Sequence, residues 1–173
     1  MELPEMIELS RADFITIDTI GPPGERTFYL QAAQDDMLVT LIIEKEQAAA
    51  LSIAISGILE KLGETQEVIE AAPLDLVQPV VPLFRVGRLG LGYDEEQNML
   101  IVMAEELAEE DRAQRTKVHI WISHTQMAVL AHQAASAVRA GRPICPLCGE
   151  TIELGEQHVC VRDNGRKHLD EIE

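Results

Sequence analysis

Aromatic side chains are scarce in this sequence: one Trp, two Tyr and three Phe in 173 residues. The core must therefore be aliphatic, and there is little with which to stack the bases of single-stranded nucleic acid. Basic residues are also few, 14 Lys and Arg against 30 Asp and Glu, for a net charge of −16. That field opposes nonspecific binding to nucleic acid or to an anionic membrane, since phosphate contacts need clustered cations. Long apolar runs are missing. The longest, 48–59, contains Ser52, Ser56 and Gly57, and it falls short of the roughly 20 residues that cross a bilayer. The opening Met1-Glu2-Leu3-Pro4-Glu5 is acidic and has no charged-then-apolar run, so a cytoplasmic protein is expected.

What is present is ample apolar material. The apolar fraction is 46% and the mean hydropathy is +0.00. A chain of this length can bury one real core and carry a small appendage.

Strand and helix signals alternate in a repeated order. Phe14-Ile15-Thr16-Ile17-Asp18-Thr19-Ile20 is β-branched and alternating, and Gly21-Pro22-Pro23-Gly24 turns it back onto Thr27-Phe28-Tyr29-Leu30-Gln31-Ala32. Asp35-Asp36 turns again into a third strand over 38–43. Leu51, Ile55, Ile58, Leu59 and Leu62 then fall at helical spacing, so the pattern predicts a helix over 44–62 stopped by Gly63. Residues 64–82, with Pro73, Pro79 and Pro82, read as a connector. The plan then recurs: a strand over 83–90, a turn at 94–98, a strand over 99–104, an acidic loop over 105–115 and a strand over 118–122. Ser123 caps a helix to Arg139, with Gln126 three residues on as a capping box.

The two units align. Residues 41–51 match 120–130 at an offset of 79, pairing Gln47 with Gln126 and Leu51 with Leu130. Gly21 lines up with Gly90 at an offset of 69, and the acidic loop can absorb the difference. The expected fold class is α+β, an internally duplicated strand-strand-strand-helix unit. It has about six largely antiparallel strands and two long helices, because a single unit cannot cover its own apolar face. The domain spans 12–142, with repeat one at 12–63 and repeat two at 83–142. A zinc-knuckle segment follows at 143–162, and 163–173 is a polar, mobile tail.

The chemical signal lies in that segment. Cys145-Pro146-Leu147-Cys148-Gly149 places two thiols on a tight turn, and His158-Val159-Cys160 supplies two more donors. On an extended strand, side chains at i and i+2 share a face, so His158 and Cys160 can aim at one ion. Cys145, Cys148, His158 and Cys160 form a Cys3His set, the composition of structural zinc sites, and soft sulfur disfavours magnesium or calcium. Other readings are a disulfide, which strands one thiol of the three; a redox C-x2-C, which normally opens a helix; and a catalytic zinc, for which four protein ligands leave no open position.

Weaker candidates lie elsewhere. Gly87, Gly90 and Gly92 lack the strand-to-helix setting of a phosphate loop and read as a strand bend. His119, His124 and His132 assemble no second quartet, and Ser123 reads as a cap rather than a nucleophile. Trp121 reads as a sheet-face packing residue with an exposed ligand contact as the alternative. No catalytic residue is assigned. A small-molecule or enzymatic site between the repeats predicts a polar pocket at the pseudo-symmetry axis on which Gln47, Gln126, His124 or Arg85 converge. Nucleic-acid binding through the metal segment requires Arg162, Arg166 and Lys167 to overcome Glu150, Glu153 and Glu156.

Several stretches taken together resemble a known family. They are Leu83-Phe84-Arg85-Val86-Gly87 with Leu89-Gly90-Leu91-Gly92, Gly141-Arg142-Pro143 leading into the cysteine pair, and His158-Val159-Cys160 with Arg162 and Asn164-Gly165. They are similar to a bacterial family of unknown function, the domain of unknown function 3090, over nearly the whole chain. Val161 stands where that family tends to have Pro. The resemblance brings no activity. Its gene neighbourhood, beside kinase-like and histidine-phosphatase-like proteins, implies an accessory in a phosphoryl-transfer pathway with a protein partner. The expectation is a non-catalytic, zinc-containing binding or adaptor protein.

Overall fold

A computed structural model describes residues 3–22, 24–64, 74–109, 114–141, 145–150, 152, 158–160, 162 and 167–168. In chain order the elements are β1 (Met6–Leu9), β2 (Phe14–Ile20), β3 (Thr27–Gln34), β4 (Met37–Ile43), α1 (Lys45–Lys61), β5 (Phe84–Asp94), β6 (Met99–Glu106), β7 (Lys117–Ile122), α2 (His124–Arg139), β8 (His158–Val159) and β9 (Lys167–His168). The fold is mixed α+β, with one seven-stranded sheet and two helices.

The sheet runs β1-β7-β6-β5-β4-β3-β2. β2-β3-β4 and β5-β6-β7 are antiparallel meanders. The joints between them are parallel: β4 pairs β5 through Leu41↔Phe84 and Ile42↔Arg85, and β1 pairs β7 from Met6↔Lys117 to Leu9↔Ile120. The seventh strand corrects the expectation of six. The expected domain begins at residue 12; residues 6–9 are too few to carry a periodicity, and their partner is more than a hundred residues away. The acidic loop is also shorter than expected. Glu105 and Glu106 belong to β6, where Glu105 pairs across to Lys117 and accepts a bond from Arg115 at 2.9 Å.

The chain steps from one edge of the sheet to the other over residues 10–13. Ala12 N–H donates to Trp121 O on β7 and Asp13 N–H to Ala33 O on β3, each at 2.9 Å. The sheet therefore curls round until its two edges are joined by four residues of chain. β5 bends in a comparable place. Its register shifts between Val86 and Arg88, and Leu107 N–H donates to Arg85 O at 2.8 Å. A Cβ on Gly87 would stand 2.8 Å from Leu107 Cα, so only glycine lets these backbones approach so closely.

Both helices begin and end as their sequences dictate. Ser123 Oγ accepts from Gln126 N–H at 3.3 Å, and Gln126 Oε1 accepts from Ser123 N–H at 2.9 Å. Gln47 Oε1 accepts from Glu44 N–H in the same way at 2.8 Å. Gly63, at φ +71, closes α1, and Glu64 N–H returns to Leu59 O at 3.1 Å.

One apolar cluster draws on all seven strands of the large sheet and on both helices. Leu51, Ile55 and Leu59 of α1 are buried, as are Met127, Leu130, Ala131 and Ala134 of α2. The alanines let the helices approach, and Ser52 Oγ donates across to Ala131 O at 2.9 Å. Each large aliphatic so buried is worth about 1.5–3 kcal/mol.

The opposite face of β2-β3-β4 carries Thr16, Gln31 and Thr40 in one row. Residues 74–77 of the connector lie across it. Thr16 Oγ1 donates to Leu74 O at 2.7 Å, Gln31 Nε2 to Val77 O at 3.1 Å, and Val77 N–H to Gln31 Oε1 at 2.7 Å. The buried amide is therefore satisfied by backbone. Sheet register also corrects the glycine alignment: Gly21 lies beyond the end of β2, whereas Gly90 lies within β5 opposite Met103. They do not occupy matching places.

Candidate metal centre

The segment after α2 holds its own small cluster: Cys145, Ile152 and Cys160 are buried, with Cys148 packed beside them. Cys145 opens a turn in which Gly149 N–H donates to Cys145 O at 2.9 Å and Cys145 N–H donates to Glu150 O at 2.8 Å. Gly149 has φ +74, which a side chain would resist. The two thiols therefore project from a turn, not from the first turn of a helix, so the redox arrangement is not the one formed.

His158 begins β8, which pairs antiparallel with β9 through His158↔His168 and Val159↔Lys167. The tail thus contributes a strand beyond residue 162, where the segment was expected to end; the rest of 163–173 lies outside the described residues. Arg162 fastens the far side of the turn, donating to Leu147 O at 3.1 Å.

The donor atoms of Cys145, Cys148, His158 and Cys160 all lie within 4.8 Å of one another. The three cysteines are unbridged. Cys148 Sγ and His158 Nε2 are 3.3 Å apart. Around a tetrahedral zinc, with bonds of about 2.0–2.3 Å, neighbouring ligand atoms stand roughly 3.3–3.8 Å apart. The four donors fit one metal ion in number, chemistry and spacing. Cys145 and Cys160 are 2% and 0% exposed, so the sulfurs would meet an ion from a dry side.

Without metal the thiols do not behave alike. The backbone N–H of Cys148 holds the Cys145 thiol down to about 6, against an opposing push from burial. Cys148 moves up: the Glu150 N–H draws it down, but burial and the adjoining Cys145 and Cys160 sulfurs outweigh that pull. A pre-formed thiolate is what an incoming soft cation needs, and binding must expel the remaining protons.

Of the other candidate residues, Gln47 and Arg85 share Glu44 as a partner, while Gln126 and His124 lie in the first turn of α2. Gln47 and Gln126 are spent on helix caps, and each amide nitrogen also reaches a backbone carbonyl, Val86 O on β5 at 3.3 Å and Ala12 O in the 10–13 link at 2.7 Å. Arg85 pairs with Glu44. His124 lies between Glu64 Oε1 at 2.7 Å and the Tyr93 hydroxyl at 2.9 Å. No hydrogen bond or ion pair joins any two of these four among the described residues. The Glu64–His124–Tyr93 chain was not legible beforehand, because its members come from the end of α1, the start of α2 and β5. It pins both helices to the β5-β6 hairpin. Burial comes first, then Glu95, Glu64 and Asp94, in keeping Tyr93 protonated.

Ser123 is a cap. His119 is half-buried on β7, and His132 is exposed on α2. Trp121 is half-buried on the sheet and donates from Nε1 to Glu8 Oε1 at 3.0 Å. Arg166 lies outside the described residues.

Residues 7–160 match the family described as protein of unknown function, DUF3090. The chain belongs to that family. The matched span begins in β1 and ends on Cys160, so the DUF3090 unit takes in the sheet, both helices and all four donors. No curated protein and no solved structure matches the chain. No described helix is long and apolar enough to cross a membrane.

Proposed function

We propose that this DUF3090 protein is a non-catalytic, zinc-containing binding or adaptor protein. The observation that carries the reading is the closed donor set: four protein ligands within 4.8 Å of one another fill a tetrahedral ion. A metal held in that way shapes a surface and offers no open position to a substrate. Zinc is the ion because three thiolates and an imidazole suit it, and because it has no redox chemistry to endanger the thiols.

The body that presents the segment is an internal duplication. Supporting this are the offset of 79 between helix starts, the matched Gln47 and Gln126 caps, each with a further bond from its amide nitrogen to a backbone carbonyl, and the two parallel joints. That no hydrogen bond or ion pair among the described residues joins any two of Gln47, Gln126, His124 and Arg85 favours this reading over an enzyme with a site between the halves. The partner is a protein, kinase-like or histidine-phosphatase-like, in a cytoplasmic phosphoryl-transfer pathway. A net charge of −16 disfavours nucleic acid.

The test is native mass spectrometry of the tagged chain from its own cells. One zinc per chain with a second protein attached is the expected result. A metal-free chain with reduced thiols, or a retained small molecule that the chain turns over, would defeat the proposal.

A further inference from the structure

One cavity of about 400 Å3 lies where β3, β4, β5 and the start of α1 meet Gly141, the residue just beyond α2. Arg26, Lys45 and Arg85 line it, opposed by Glu44 and Glu46. That places three of the chain's 14 cations around one hollow in a molecule carrying −16 overall.

Arg26 is seated rather than loose. Its guanidinium lies 5.2 Å from the centroid of the Phe28 ring, and Nη1 donates to Thr19 Oγ1 at 3.3 Å. On its other side is Gly141, where a Cβ would fall 2.3 Å from Nη2. A guanidinium has five N–H donors. Among the described residues, Thr19 takes a bond from one and no carboxylate pairs with any. Glu44 is engaged by Arg85, and neither Glu46 nor Lys45 has an ion-pair partner among the described residues. A cluster built only for stability would put a carboxylate on Arg26.

We propose that this cavity binds a phosphomonoester, with the phosphate on Arg26 and Lys45. The planar guanidinium fork matches phosphate oxygens two at a time, and Lys45 adds a point charge. The volume falls within the about 300–1,000 Å3 of small-molecule sites, so the phosphate arrives on an organic body. Ile42, half-buried in the lining, supplies an apolar contact for it.

The zinc-loaded full chain is titrated at low salt with glycerol phosphate, inorganic phosphate and acetate, and followed by calorimetry and phosphorus NMR. Saturable binding of the two phosphates is expected, tighter for the ester, with acetate failing to compete. Arg26→Gln weakens it at least tenfold and Lys45→Gln several-fold. Gln is nearly as good a helix former as Lys, so Lys45→Gln keeps the test readable if Arg26→Gln unfolds. Absence of saturable phosphate binding, affinity untouched by both substitutions, or acetate binding as well as phosphate would each overturn the assignment.

Discussion

The body and the candidate metal segment would be held by different forces. The body buries a continuous aliphatic cluster that takes side chains from seven strands and two helices. Among the described residues of the segment, the buried cluster is Cys145, Ile152 and Cys160, with Cys148 packed against it. Apolar burial of that size cannot offset the cost of ordering the chain, at about 1–2 kcal/mol per residue. A structural zinc contributes on the order of 10–16 kcal/mol, enough to fold such a segment. With the proposed zinc bound, one chain would carry two solutions to the same entropic problem, and each should fail independently of the other.

The widest separation of the two is expected from the ligands. Cys160→Ser removes a buried sulfur, so zinc stoichiometry falls to zero and hydrogen-exchange protection vanishes over 145–160. The body still unfolds in one cooperative transition. Loss of that transition would show that the regions are coupled.

The converse experiment acts on the core. Ile55 of α1 is fully buried, and Ile55→Ala should cost about 2–5 kcal/mol in denaturant unfolding. Zinc content should not change. Smaller still is Gly87→Ala, where the new methyl meets the Leu107 backbone at 2.8 Å. A loss of about 1–3 kcal/mol is expected, and a neutral result would mean the β5 bend is not as tight as described.

The smallest effects compare the two halves of the body. Gln47→Ala and Gln126→Ala each remove one helix-cap bond and one bond to a backbone carbonyl. Equal losses of about 0.5–2 kcal/mol are expected if the halves are equivalent. Strongly unequal losses would argue against equivalence.

Much of this was legible because the signals are local. β2 and α2 fall where alternation, turn residues and the Ser123 cap place them, and α1 departs by a residue at each end. The four metal donors could be read because C-x2-C and an i, i+2 pair fix geometry over a few residues. Signals that span the chain were not legible. The β1–β7 pairing, the cover that residues 74–77 give to Gln31, and the Glu64–His124–Tyr93 chain each join segments that share no sequence pattern.

The sequence by itself determined the elements, their order, the aliphatic core and the identity of the ligands, because each follows from side-chain chemistry over one or two turns of chain. Only the tertiary structure decided which strands meet in parallel, how the sheet's edges are brought together, and that Arg26, Lys45 and Arg85 face one cavity. Those outcomes depend on which surfaces remain after the local elements have packed, and no residue carries that information alone.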